Sequence, residues 1–151
     1  MALTTANRVA DFLISFSSKH GDPLTNLKLQ KLVYYAQAWH LALYDKPLFR
    51  DPIEAWTHGP VVRSVYNRFK VYGPNPIDCV VDEPDIPNNL KEHMKEILNA
   101  YGHLSAFQLE QIAHSELPWR KARGNLAPDD PSAEQISIED MREFFKKKLN
   151  E

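Results

Sequence analysis

Apolar residues recur along this chain at spacings of three and four, the period of a helix that buries one face. Val9, Phe12, Leu13 and Phe16 place a first helix over Ala6 to Ser17, with Thr4 or Thr5 as its N-cap. Gly21-Asp22-Pro23 breaks it. Thr25 or Asn26 then caps a second helix reaching about Tyr44. Its stripe of Leu29, Leu32, Val33, Ala36, His40 and Leu43 is flanked by Tyr35, Trp39 and Ala42. That apolar arc is wider than a surface helix needs, so the pattern predicts a central helix with partners on more than one side.

The period then changes. Ile53-Glu54-Ala55-Trp56 alternates as a short strand does. Gly59-Pro60 reads as a turn, with Pro60 at the first position of a third helix, where its missing N–H costs nothing. Val61, Val62, Val65, Tyr66 and Phe69 form the inner face of that helix, which ends near Gly73-Pro74. Ile77 to Val81 reads as a second short strand. Asn88 or Asn89 starts a fourth helix through Ala100, with Leu90, Met94, Ile97, Leu98 and Tyr101 inward. Ser105 and Gln108 have capping-box spacing for a fifth helix to about His114. Pro118-Trp119 opens a short helical turn that closes at Gly124, and Asn125 to Ala133 is a loop. Ser137 caps the last helix, with Ile138, Met141, Phe144, Phe145 and Leu149 facing inward. Lys146, Lys147 and Lys148 complement the dipole of its final turn and read as solvated structure. The expected fold is mostly α: a bundle of about six helices around a central helix at about 26–44, with two or three short strands, in a single domain over 1–151.

Composition supports a folded domain and removes several function classes. The chain has 151 residues, enough to bury roughly 70% of its unfolded surface without staples. Three Trp, six Tyr and seven Phe supply core area that a disordered chain lacks. A formal charge of −2 gives no excess of cations for nucleic acid. The second helix also carries Tyr34, Tyr35 and Trp39 where a DNA-reading helix would show Arg, Asn or Gln. Cys79 is the single cysteine, so there is no internal disulfide or cysteine-based zinc site, and it reads as a half-buried hydrophobe. The start, Met1-Ala-Leu-Thr-Thr, lacks the charged opening and apolar run of a signal peptide, and no stretch is long and apolar enough to span a membrane. The expected location is the cytoplasm.

Catalytic signatures are missing. The sequence holds no G-x-S-x-G elbow, phosphate loop or H-E-x-x-H motif, and no pair of its six histidines has i, i+4 ligand spacing. A metal site assembled from His58 and His114 with a carboxylate is the remote alternative to structural histidines. His40, on the apolar face of the second helix, reads as a hydrogen-bonded core residue rather than a base. No enzyme activity, metal or cofactor is expected.

Three segments together carry a resemblance. These are Leu24-Thr-Asn-Leu-Lys-Leu-Gln-Lys-Leu-Val-Tyr-Tyr-Ala-Gln-Ala-Trp-His-Leu-Ala42, Ile53-Glu-Ala-Trp-Thr-His-Gly-Pro-Val61 and His114-Ser-Glu-Leu-Pro-Trp-Arg-Lys-Ala-Arg123. In order and spacing the chain resembles the Panacea antitoxin domain family, also described as SocA-like or as phage-associated GepA-like proteins, from the first helix to Phe145. The resemblance implies an antitoxin that neutralises a co-encoded protein toxin by direct contact. The alternatives are an adaptor that delivers a client protein to a protease or other machinery, and a small enzyme with an unrecognised site. The candidate partner-binding or motif residues are Lys28, Lys31, Trp39, Trp56, His58, Gly59, Pro60, Arg63, His114, Pro118, Trp119 and Arg120. Among them, Lys28 and Lys31 are expected to flank the core with packed stems. Trp56 to Pro60 is read as a rigid strand-to-helix corner. Pro118 and Trp119 are read as docking a turn, with His114 and Arg120 as polar anchors.

Overall fold

A computed structural model describes residues 2–151; Met1, the first residue of the N-terminal stretch read above, lies outside the described residues. Seven α-helices and one two-stranded antiparallel sheet are present among them. Helix α1 (Ala6–Lys19) is capped by Thr5, whose side chain accepts from the Arg8 N–H, and α2 (Asn26–Tyr44) is capped in the same way by Thr25. Each cap satisfies a helix-end N–H that has no partner inside the helix.

Helix α2 is the centre of the fold, as its wide apolar arc requires. It packs against α1, α3, α4, α5, α7 and the sheet. Every residue from Leu29 to Ala38 is buried, on all sides of the helix. Two members of the predicted inward faces are exposed. Leu43 lies 43% exposed at the end of α2, and Leu149 lies 49% exposed in the last turn of α7 (Ile138–Leu149). Both continue an apolar period past the point where neighbouring elements cover it.

The greatest departure from the sequence reading lies at residues 57–62. Strands β1 (Glu54–Trp56) and β2 (Gly59–Val61) form a hairpin with Ala55 opposite Pro60, and the turn falls at Thr57-His58 rather than Gly59-Pro60. Helix α3 therefore begins at Arg63, not at Pro60. A tertiary hydrogen bond explains the shift: the Val62 N–H donates to the Gln30 side chain of α2 at 3.0 Å, holding Val61 and Val62 extended. Ile77 to Val81 forms no strand. Its Ile77 N–H donates to the Leu24 carbonyl and Pro76 bridges Thr25, but no neighbouring backbone continues the ladder. The segment just after the 125–133 loop runs beside β1, through Ala55 N–H to Glu134 O and Ile136 N–H to Ile53 O.

The remaining helices are α4 (Asn88–Tyr101), α5 (Ala106–Ser115) and α6 (Leu117–Arg123). Helix α5 opens with the predicted capping box between Ser105 and Gln108. No helix among the described residues is long and apolar enough to cross a membrane.

Candidate functional site

The hairpin turn is held from below by three helices. Trp119 of α6 is buried and donates its indole N–H to the Trp56 carbonyl at 2.8 Å. The Arg123 guanidinium stacks over the Trp119 ring at 4.8 Å and donates to the Ala55 carbonyl at 3.1 Å. It also reaches the carbonyls of Ala127, Pro128 and Asp130. Arg123 is thus the polar anchor of the third motif. Arg120, expected in that role, is exposed and makes no side-chain hydrogen bond among the described residues.

The outer face of the hairpin is organised by Glu54. Partial burial works against its charge, yet hydrogen bonds from Arg63 and the Trp56 indole hold its pKa below the usual carboxylate range. Arg63 also lies over the Trp56 ring at 5.1 Å. Both side chains are thereby fixed.

At the turn itself, His58 is the exposed residue. Its Nδ1 lies 3.1 Å from Glu110 Oε1 of α5, and the two side chains are 71% and 14% exposed. Gly59, directly after it, has φ +107°, a conformation that side chains rarely adopt. Lys31 of α2 runs beneath Gly59, wholly buried, with no hydrogen-bond partner on Nζ. Burial lowers its pKa from 10.5 to about 7, and the nearby Glu110 charge works in the opposite direction. His114 stacks on Trp119 with centroids 4.0 Å apart, and its buried Nε2 is also without a partner. Burial lowers its pKa, opposed by Glu110 and by the Thr57 main chain.

The predicted residues therefore divide into groups. Lys31, Trp56, His58, Gly59, Pro60, Arg63, His114, Pro118 and Trp119 lie at or under one corner. Lys28 and Trp39 lie elsewhere. Lys28 Nζ donates to the Gly102 carbonyl at 2.7 Å, closing the C-terminal end of α4. Trp39 donates to the Tyr101 hydroxyl at 2.8 Å and packs edge-on against Phe145. Glu110, Gln30 and Arg123 were not singled out from the sequence. For Glu110 a signal was present: it precedes His114 by one helical turn and so shares its face. Although His58, Glu110 and His114 converge, no group of three His, Cys, Asp or Glu side chains among the described residues has the arrangement to hold a metal ion. His40 is 2% exposed and its Nδ1 contacts the Lys46 carbonyl at 2.6 Å, as befits a core histidine.

Beside the corner runs an open groove of about 510 Å³, lined among others by Leu27, Gln30, Trp56, His58, Val61, Tyr66 and Pro131. Its amides are engaged internally: Gln30 donates to Asn26, and Asn26 donates to the Tyr66 carbonyl. The floor is thus rigid and the exposed lining largely apolar. Among the described residues Lys70 is the one permanently charged residue on it, and no carboxylate lines it.

The motifs that build this corner and its supports also decide the family. Residues 29–120 match the family described as antitoxin SocA-like, Panacea domain. The chain belongs to that family. It is 32% identical over 127 residues to Antitoxin SocA of Caulobacter vibrioides (strain NA1000 / CB15N), an alignment covering 76% of this chain and 68% of that protein. No solved structure matches significantly. Within this SocA-like chain, the matched region runs from the central helix through the corner to the α6 turn, while α1 and α7 lie outside it.

Proposed function

We propose that this chain is an antitoxin that neutralises a protein toxin, encoded beside it, by direct binding in the cytoplasm, and that it acts as a binder rather than as an enzyme. Membership of the SocA-like family supports an antitoxin. The observation that carries direct binding is the groove beside His58: apolar, open, internally satisfied, and bordered by a turn fixed from three helices. A preformed surface of this kind binds a partner segment without the entropy cost of ordering itself first. In this reading Trp56, His58 and Arg63 meet the toxin, while Lys31, Gly59, Pro60, Pro118 and Trp119 hold the surface in place.

Leu27 tests the proposal, because it is 37% exposed and lines the groove. The neighbouring reading frame is expressed alone, with this chain, and with its Leu27→Asp variant. The expected result is toxicity alone, growth with the native chain, and toxicity again with a folded Leu27→Asp. A harmless neighbour, or full protection by Leu27→Asp, overturns the proposal. Protection that disappears in a host lacking its cytoplasmic proteases replaces direct neutralisation with delivery for degradation.

A further inference from the structure

Ile77 to Val81 has the residues of a strand and no strand beside it. Burial nevertheless alternates there with the period of extended chain: Ile77 is buried and Cys79 and Val81 half-buried, while Asp78, Val80 and Asp82 are exposed. A bend at Cys79 is the one interruption. From Asp78 to Pro84 the main chain makes no hydrogen bond among the described residues. Val80 is 95% exposed, and Val71, which lines a groove with it, is 82% exposed. Open grooves flank the segment, one of about 420 Å³ towards Phe69 and Tyr72 and one of about 260 Å³ towards Ile14 and Ser18 of α1. Cys79, Val80 and Val81 line both. Unpaired main-chain groups along an exposed apolar edge form a template for another chain.

Charge decides which chain. Residues 71–90 hold Asp78, Asp82, Glu83 and Asp85 and no Lys or Arg. Glu83 is paired with Lys91, and Arg68, on the larger groove, is paired with Asp11. Lys19 lines the smaller groove. Asp78 and Asp82, two positions either side of Val80, enter no ion pair among the described residues. A second copy paired antiparallel about Val80 would set Asp78 opposite Asp82 twice, and like charges so placed oppose pairing. A strand with cations at those positions pairs favourably instead. Pro76 and Pro84, which lack the N–H, bound the edge. We infer that residues 78–83 are a docking edge for an extended segment of a partner protein, with basic residues two positions either side of an apolar one. The segment lies alongside as an added strand. Main-chain hydrogen bonds supply the affinity, and Asp78, Val80 and Asp82 select the side chains. The edge shares no lining residue with the groove beside His58, so it is a second contact surface and does not rest on the first.

The test uses the intact chain and three peptides at constant ionic strength. They are N-acetyl-Lys-Thr-Val-Thr-Lys-amide, the same peptide methylated on its backbone nitrogens, and N-acetyl-Glu-Thr-Val-Thr-Glu-amide. NMR follows the amides of residues 78–83. The expected result is a saturable shift there with the first peptide only, and slowed hydrogen exchange at alternate amides. Replacing both acids, Asp78→Asn with Asp82→Asn, weakens binding by about threefold or more, the combined worth of two cross-strand ion pairs. The inference is overturned if the first peptide does not bind saturably, or if the methylated or acidic peptide binds as well. Undiminished affinity in the doubly substituted chain overturns it too. The Leu27→Asp chain should bind the first peptide as the native chain does. Failure here therefore leaves toxin neutralisation at the His58 groove standing, and failed neutralisation with intact peptide binding leaves the edge standing.

Discussion

Lys31 lies in the space that a side chain on Gly59 would take: a Cβ there would come within 2.5 Å of its Cε. Gly59→Ala therefore meets two obstacles at once, the φ of +107° and the far end of a fully buried lysine side chain that would have to move. We expect a loss of ~1–3 kcal/mol in urea unfolding, the usual range for a side chain forced into such a conformation and an overfilled site. Unchanged stability would show that the lysine chain can re-route.

Removing the amine should act in the other direction. With a folded pKa of about 7 against 10.5 unfolded, the unfolded chain holds a proton between those values that the folded chain has released. Stability attributable to Lys31 therefore rises with pH across that window, and below it the cost of the buried charge is complete. Lys31→Met keeps the length and removes the charge. Urea melts near pH 6 and about pH 9 should show the variant gaining ~1–3 kcal/mol or more at the lower pH and less at the higher.

Acid should weaken the fold through its buried histidines. His40, His93 and His114 are all drawn below the ordinary 6.5, first by burial. His93 Nε2 lies 2.9 Å from the Ala36 carbonyl, and the His40 and His93 rings meet edge to face at 5.2 Å. As pH falls from 6.5 toward each folded pKa, the unfolded chain binds protons that the folded chain does not, so stability falls. His93→Gln, which retains a donor for the carbonyl, should shallow this decline when melting temperature is followed across the same range. An unaltered pH profile would remove His93 from the account.

Arg123 should prove the most sensitive position of the third motif. It is 5% exposed and joins the Ala55 carbonyl of β1 to the carbonyls of Ala127, Pro128 and Asp130. Arg123→Met leaves the buried Ala55 carbonyl without its donor, and a cost of ~1–3 kcal/mol is expected, as for a buried acceptor left unsatisfied. Hydrogen exchange should accelerate at Asp130, whose N–H is bonded to Ala127 O within the same loop. Arg120→Met, on the exposed face of the same helix, should change neither.

By itself the sequence determined most of the helices, the caps of α2, α5 and α7 and the central place of α2, because helical periodicity and capping are local: Thr25, the Ser105–Gln108 box and Ser137 act within three or four residues of themselves. It also placed Trp56, His58 and Gly59 where the chain turns, though as a strand-to-helix corner rather than the β-hairpin found, and carried the family resemblance that the family match bears out. What it left open was decided across long separations. Val62 leaves the predicted helix because Gln30 captures its N–H, 32 positions away in sequence. Ile77 to Val81 has strand-forming residues but no neighbour to pair with, while the 134–136 segment pairs with β1 despite its polar composition. Glu110 and Arg123 became visible as parts of the site only once α5 and α6 were packed against the hairpin. Lys31 looked like a lysine flanking the core. Tertiary packing buried it under a residue with no side chain, and the absence of a Cβ at Gly59 shaped that place for it.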